Sequence, residues 1–332
     1  SLSGALELWF DEALKHATAT FLKEATASVT DLRSMCRMWA VRSTCHTIFG
    51  TAMPDTDMAE GIAQVQVFHR FMFNKNTGAL RDAETLEEFQ RTRAFLDEAV
   101  RVGLAAARTG DRTILASLLE AMPGDIQAEE RIDHLRPVLF RILFERLGID
   151  GLSLLWALVH LGQDPDLVEE IAKEALSETG ASSLATAVAS EIQRLYPELP
   201  FFYRTTSQDL NFDTMTIPAQ ATLLFSPFLL HRDGRCWEQP TRFDPRRFLN
   251  GAGHPAHFVP FGIGANARRQ ADRVIAQSAT VLTVICKTSL FGLAAQSRPG
   301  DLLPVFRSIL APRGRISLWW KSRAFELVAQ RA

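Results

Sequence analysis

Glu191 and Arg194 stand three residues apart in a segment with helical spacing, so both side chains lie on one face and can share a salt bridge. Any surface helix offers such a pair, and alone it does no chemistry. Arg268 and Arg269 are adjacent, and Asp272 follows Arg268 at the i, i+4 spacing of a helical ion pair. The thiols Cys36, Cys45, Cys236 and Cys286 are scattered with no CxxC spacing. That pattern fits a reducing compartment and argues against a disulfide framework and a structural zinc site. No metal is expected. His254 and His257 lie in Gly251-Ala-Gly-His-Pro-Ala-His, where a loop histidine is more often solvated than a ligand. There is no DDxxD motif, so magnesium-dependent ionisation of a prenyl diphosphate finds little support.

The elements that must position these groups fall into two textures. Residues 1–196 read as mainly helical. Leu6 to Thr26 carries apolar residues at helical spacing, and Asp31 to Phe49 follows before Pro54 interrupts. Further helices are predicted at about Ala59–Phe73, Ala83–Thr109, Arg112–Ala121, Glu129–Gly162, from Pro165 onward, and Ser182–Leu195. Residues 197–332 begin with short strands at Phe201–Arg204, Leu210–Phe212, Thr214–Ile217 and Ala221–Phe225. An irregular stretch from His231 to Phe261 precedes one long helix, about Ala267–Leu290, and a β tail near Arg315–Trp320. No linker-like segment divides the chain, so 1–332 is expected to be a single domain, mainly α with a small β component.

A net charge of -2 gives no basic field of the kind that nucleic acid attracts. The longest apolar run, near Val281–Cys286, falls short of the roughly 20 residues of a membrane span. No signal peptide opens the sequence, and the expected location is cytoplasmic. The chain starts at Ser1 rather than Met, as a processed or shortened polypeptide would.

The order of elements resembles the C-terminal three quarters of the cytochrome P-450 family. Glu191-Ile-Gln-Arg194 is similar to that family's ExxR helix. Phe243-Asp-Pro-Arg-Arg247-Phe248 is similar to its FxPxRF segment, whose arginine (here Arg247) the resemblance places in a buried cluster with Glu191 and Arg194. Arg204-x-x-x-x-Asp209, Ile217-Pro218 and His231-Arg232-Asp233 lie between them. Phe258-Val-Pro-Phe261-Gly262-Ile-Gly264 resembles the front of the haem loop. Trp156 to Pro165 resembles the end of the long central helix and the start of the next. The resemblance implies a P-450-like fold shortened at its N-terminus by roughly a hundred residues relative to typical members.

That family holds haem through a cysteine thiolate. In gapless register the ligand position is Arg268, and a protonated guanidinium has no lone pair to offer iron. Asn266 stands where the family favours a basic residue, and Gln270 where it favours glycine. Counted back from Trp156, the patch of small residues, acid and threonine falls on Glu145-Arg146-Leu147-Gly148-Ile149. A shifted register brings Asp150 to the acid position and Gly151 to that of the threonine. Haem is therefore expected to be lost, and no cofactor is expected.

Three functions follow from the resemblance. The first is an accessory or activating partner of a tailoring enzyme of secondary metabolism, such as a glycosyltransferase. The second is a non-redox cyclase, lyase or isomerase, terpene-type chemistry included, using the emptied pocket for an apolar anionic substrate. There Arg204, Arg268 and Arg269 would bind the anion, and Glu145, Arg146 and Asp150 would be the catalytic groups. The third is residual haem-binding monooxygenation. The expected partner is another protein or the missing N-terminal segment.

Overall fold

The computed structural model describes residues 2–27, 31–50, 83–107, 113–123, 126–146, 150–177, 180–249, 256–306 and 310–323. The chain divides into two compact units, one of residues 1–155, 293–297 and 315–326, the other of residues 156–292, 298–314 and 327–332.

The first unit is helical because its apolar residues recur every three or four positions. The helices are α1 (Leu2–Ala27), α2 (Leu32–Phe49), α3 (Ala83–Ala107), α4 (Ile114–Glu120) and α5 (Ala128–Arg146), and α6 (Asp150–Leu161) begins here. Val41, Cys45, Ile48 and Phe49 of α2 pack on Leu96, Ala99 and Val100 of α3, with Leu115 of α4 and Ile132, Leu135 and Leu139 of α5. Two polar pairs are tied off in this unit, as burial favours. Trp39 donates to Thr18 Oγ1 at 3.2 Å, and Arg42 donates to both carboxylate oxygens of Glu24 at 3.0 and 2.7 Å. The expected helix at Ala59–Phe73 lies outside the described residues.

Gly151, in the first turn of α6, comes hard against α2. A Cβ there would sit 2.8 Å from the Cys36 carbonyl oxygen, and backbone cannot swing aside. Gly151→Ala is expected to cost about 1–3 kcal/mol, the usual toll of overpacking, read as a lower urea midpoint with unchanged slope.

The second unit stacks α7 (Pro165–Ser177), α8 (Ser183–Leu195) and α10 (Ala265–Thr288), and α10 packs on both of the others. Ser182 caps α8 by accepting from Ala185 N–H, and its own N–H donates to Thr283 Oγ1 of α10 at 3.0 Å. Glu174 accepts from the hydroxyls of Ser182 and Ser183 and from Leu184 N–H. These bonds at a helix N-terminus hold its pKa below the usual carboxylate value against the opposing cost of burial.

Strands β1 (Phe202–Thr205) and β4 (Thr222–Phe225) pair antiparallel from Phe202 opposite Phe225 to Thr205 opposite Thr222. Strands β2 (Leu210–Phe212) and β3 (Met215–Ile217) form a small hairpin between them. The short helix α9 (Pro227–Leu230) leads into the irregular stretch. Beyond α10 come β5 (Ser289–Leu293), β6 (Pro304–Phe306), β7 (Leu310–Pro312) and β8 (Leu318–Ser322). Only the last of these has a counterpart in the sequence reading. The β6–β7 pair is three residues a side, with Pro304 opposite Pro312 at one end, too short for alternation to register.

Candidate functional site

The site is built on the C-terminal half of α8. Its apolar face is buried, and Glu191 and Arg194 fall on that same face, so their charges must be answered inside the protein. Both side chains are fully enclosed and meet at 2.7 Å. All five guanidinium protons of Arg194 are used. Nε and Nη2 reach the two oxygens of Glu191 at 2.7 and 2.8 Å, Nη1 reaches the carbonyls of His231 and Pro240 at 2.6 Å each, and Nη2 also reaches that of Arg242 at 3.1 Å. The carboxylate of Glu191 also accepts from Asp244 N–H at 2.8 Å and lies 3.3 Å from Arg247 Nε. Arg247 turns its Nη1 to the Glu238 carbonyl at 3.0 Å. The three predicted members Glu191, Arg194 and Arg247 are thus together. They clamp the irregular stretch onto the helix.

Two groups of this site carried no assigned role in the sequence. His231 is fully buried between α8 and the loop that follows. Its Nδ1 meets the Arg194 carbonyl at 2.9 Å, and its Nε2 accepts from Val259 N–H at 3.0 Å. Burial lowers its pKa to about 4. Trp237 lies with its ring 5.1 Å under the Arg194 guanidinium and packs with Ala189, Phe258 and Ile275. A histidine beside two charged residues in an irregular stretch has no periodicity to mark it as core.

Nearby in the same unit, Trp156 stacks on Tyr196 at 3.8 Å and donates to the Leu310 carbonyl at 2.9 Å. His160 Nε2 meets Tyr196 Oη at 2.9 Å while the imidazole stacks on Phe243 at 4.2 Å. Burial pushes His160 down to about 4 and Tyr196 up to about 12, so both are neutral at physiological pH.

The loop itself is formed. Leu199 N–H donates to Pro260 O at 3.3 Å and Gly262 N–H to Val259 O at 3.0 Å. Gly262 (φ +85°) and Gly264 (φ +124°) take backbone conformations that side chains resist. A Cβ on Gly262 would lie 3.6 Å from the Phe202 ring, and the Arg204 guanidinium covers that ring at 5.0 Å. Arg204 is thus an exposed residue near the loop rather than a group inside a pocket.

Beyond Gly264 the chain enters α10, and Arg268, Arg269 and Gln270 all face solvent in its first turns. Among the described residues Arg268 and Asp272 do not form the ion pair their spacing allows. Asn266 is helical, but its side chain is outside the described set. Glu145 and Arg146 close α5 and Asp150 opens α6; their side chains likewise lie outside the described set, as do Gly148, Ile149 and His254.

The residues of this loop do not fit a thiolate-ligated haem. The register position holds an exposed arginine, and no thiol stands near it along the chain. Cys236 is half-buried against the Trp237 and Phe258 cluster. Cys286 is buried 18 residues further along α10, roughly 27 Å at 1.5 Å per residue. Cys36 and Cys45 belong to the first unit, and burial raises both pKa values, Cys45 to about 12. His257 packs edge-on to Trp237 at 4.7 Å. Among the described residues no cluster of three or more His, Cys, Asp or Glu could hold a metal ion, and no helix is long and apolar enough to cross a membrane.

The family profile described as cytochrome P-450 matches residues 3–267, so the matched span stops one position before Arg268. Human mitochondrial sterol 26-hydroxylase is 28% identical over 196 residues, covering 53% of this chain and 36% of that protein. A probable cytochrome P-450 4s3 of Drosophila melanogaster is 31% identical over 153 residues, 44% of this chain and 30% of its own length. A putative cytochrome P-450 137 of Mycobacterium tuberculosis is 28% identical over 210 residues, 63% and 43% of the two chains. The chain therefore aligns with about a third to two fifths of these relatives. A solved zebra fish cytochrome P-450, a structure with abiraterone, superposes with a TM-score of 0.73 at 18% identity, over 97% of this chain and 80% of that one.

Proposed function

We propose that this chain, which belongs to the cytochrome P-450 family, works without haem, as an accessory protein that binds and activates a tailoring enzyme of a biosynthetic pathway such as a glycosyltransferase. One observation carries the reading. The Glu191–Arg194–Arg247 cluster and the loop from Phe258 to Gly264 are whole, yet the loop delivers exposed Arg268 where a thiolate would be needed. A scaffold kept intact around a lost ligand suits a role that uses the shape and not the chemistry.

The surface supports a binding role. Tyr203 and Leu224, directly opposite one another on β1 and β4, are 68% and 70% exposed, and Phe212 and Met215 on the neighbouring hairpin are open as well. Exposed apolar groups gathered on short strands are the raw material of a protein interface. The enzymatic reading has less behind it, because Arg204, Arg268 and Arg269 are all exposed.

The test has two arms. The protein is purified from cells supplied with haem, and its spectrum is recorded before and after dithionite and carbon monoxide. No stoichiometric Soret band is expected, and one would overturn the haem-free reading. Turnover of a glycosyltransferase from the same pathway is then measured with and without the protein. A rise that saturates at a fixed ratio is expected. No change, together with product formed by the protein alone, would favour the non-redox enzyme.

A further inference from the structure

His231 uses both ring nitrogens to join two elements that are distant in sequence. Val259 N–H can only donate, so the Nε2 it meets at 3.0 Å must be bare. The proton of the neutral ring is then on Nδ1, which donates to the Arg194 carbonyl at 2.9 Å. The ring also stacks on Phe258 at 5.5 Å and 21°, and meets Trp237 edge-on at 6.0 Å. One tautomer satisfies every partner, and the other breaks both bonds.

We propose that His231 is a proton-sensitive strap: in its neutral Nδ1–H form it fastens the Phe258–Gly264 loop to α8, and protonation at Nε2 unfastens it. A second proton would set an N–H against the Val259 N–H and leave that buried donor without an acceptor. The surroundings resist this charge. From α8 the Arg194 guanidinium faces the ring, from the end of α9 Arg232, and from the loop His257. The one carboxylate of α8, Glu191, is committed to Arg194 and Arg247. The strap therefore stays closed at neutral pH and opens in acid. What it controls is the entry into α10, and with it the presentation of Arg268 and Arg269. The proposal stands on this geometry alone and does not rest on the accessory role or on the absence of haem.

Two substitutions separate the two bonds. His231→Asn keeps a donor near the Nδ1 position and loses the acceptor for Val259. His231→Gln places an amide oxygen near Nε2 and removes the titration. Backbone hydrogen exchange of the full protein, corrected for intrinsic rate, is read at the Val259 amide, with α8 amides reporting that the fold is intact. In wild type, protection at Val259 is expected to fall about tenfold or more between neutral pH and about 4. His231→Asn should show that loss already at neutral pH, and His231→Gln should keep protection at both. Nitrogen NMR of the His231 ring should find Nδ1 protonated and Nε2 bare. The opposite tautomer, unchanged Val259 protection in His231→Asn, or the same acid loss in His231→Gln would each overturn the strap.

Discussion

Arg194→Leu lowers the stability of the protein by about 3–5 kcal/mol, a large fraction of the net stability of an ordinary domain. The size follows from what is stranded. Leucine leaves the fully buried Glu191 with only Arg247 for a charged partner, and leaves the carbonyls of His231, Pro240 and Arg242 without their donor. Arg194→Lys should recover little, because an ammonium cannot reach a carboxylate and three carbonyls in a fixed fan. Urea unfolding followed by tryptophan fluorescence measures both. A loss below about 1 kcal/mol in Arg194→Leu would mean that the cluster is dispensable. The double replacement Glu191→Leu with Arg194→Leu should cost less than the sum of the single ones, since no lone charge remains.

The second large effect is with pH. His160 and His231 both have pKa values lowered by burial to about 4, whereas an unfolded histidine titrates near 6.5. The folded values lie below the unfolded ones, so between those limits the unfolded chain holds more protons and acid favours it. Stability is complete above about pH 6.5 and falls as pH drops, reaching about 3 kcal/mol of loss per histidine near pH 4. Carboxylates with lowered pKa values, such as Glu174, add to the loss only at the acid end. The slope between about pH 6.5 and 5 therefore belongs to the histidines. His160→Phe keeps the stack on Phe243 and should halve that slope. An unchanged slope in the variant would show that His160 is not held neutral.

The charged cluster was legible only through the family resemblance, which joins Glu191-Ile-Gln-Arg194 to Phe243-Asp-Pro-Arg-Arg247-Phe248; the i, i+3 spacing alone is open to any surface helix. The helices were legible from periodicity, and α2, α7, α8 and α10 lie within a few residues of where the pattern puts them. Three things were not legible. The role of His231 depends on what meets it from 28 and 37 residues away, and that of Trp237 on the distant Arg194, and no local pattern encodes either. The strands β5 to β7 are too short or too proline-rich to alternate visibly. The exposure of Arg204 was not legible either: β1 is open at most of its positions, so no alternation of buried and exposed residues marks which side chains face inward. The exposure of Arg268 could be expected from its place in the first turns of a long helix, whose N-terminal end carries mostly polar residues.

The hydrogen bond from Trp156 to the Leu310 carbonyl spans 154 residues. Its consequence lies in the order of synthesis. Helices α6, α7 and α8 can begin to form as they leave the ribosome, because the backbone hydrogen bonds of a helix are local. The indole N–H of Trp156 has no acceptor until the β6–β7 pair emerges, about 150 residues later. Until then the stack of Trp156 on Tyr196 is a seat without its backrest, and a nascent chain in that state presents aromatic surface to other chains. A ribosome stalled before Leu310 therefore yields a fragment rich in helix but prone to self-association, and the last fifteen or so residues before the end of β7 decide when the second unit is safe from it.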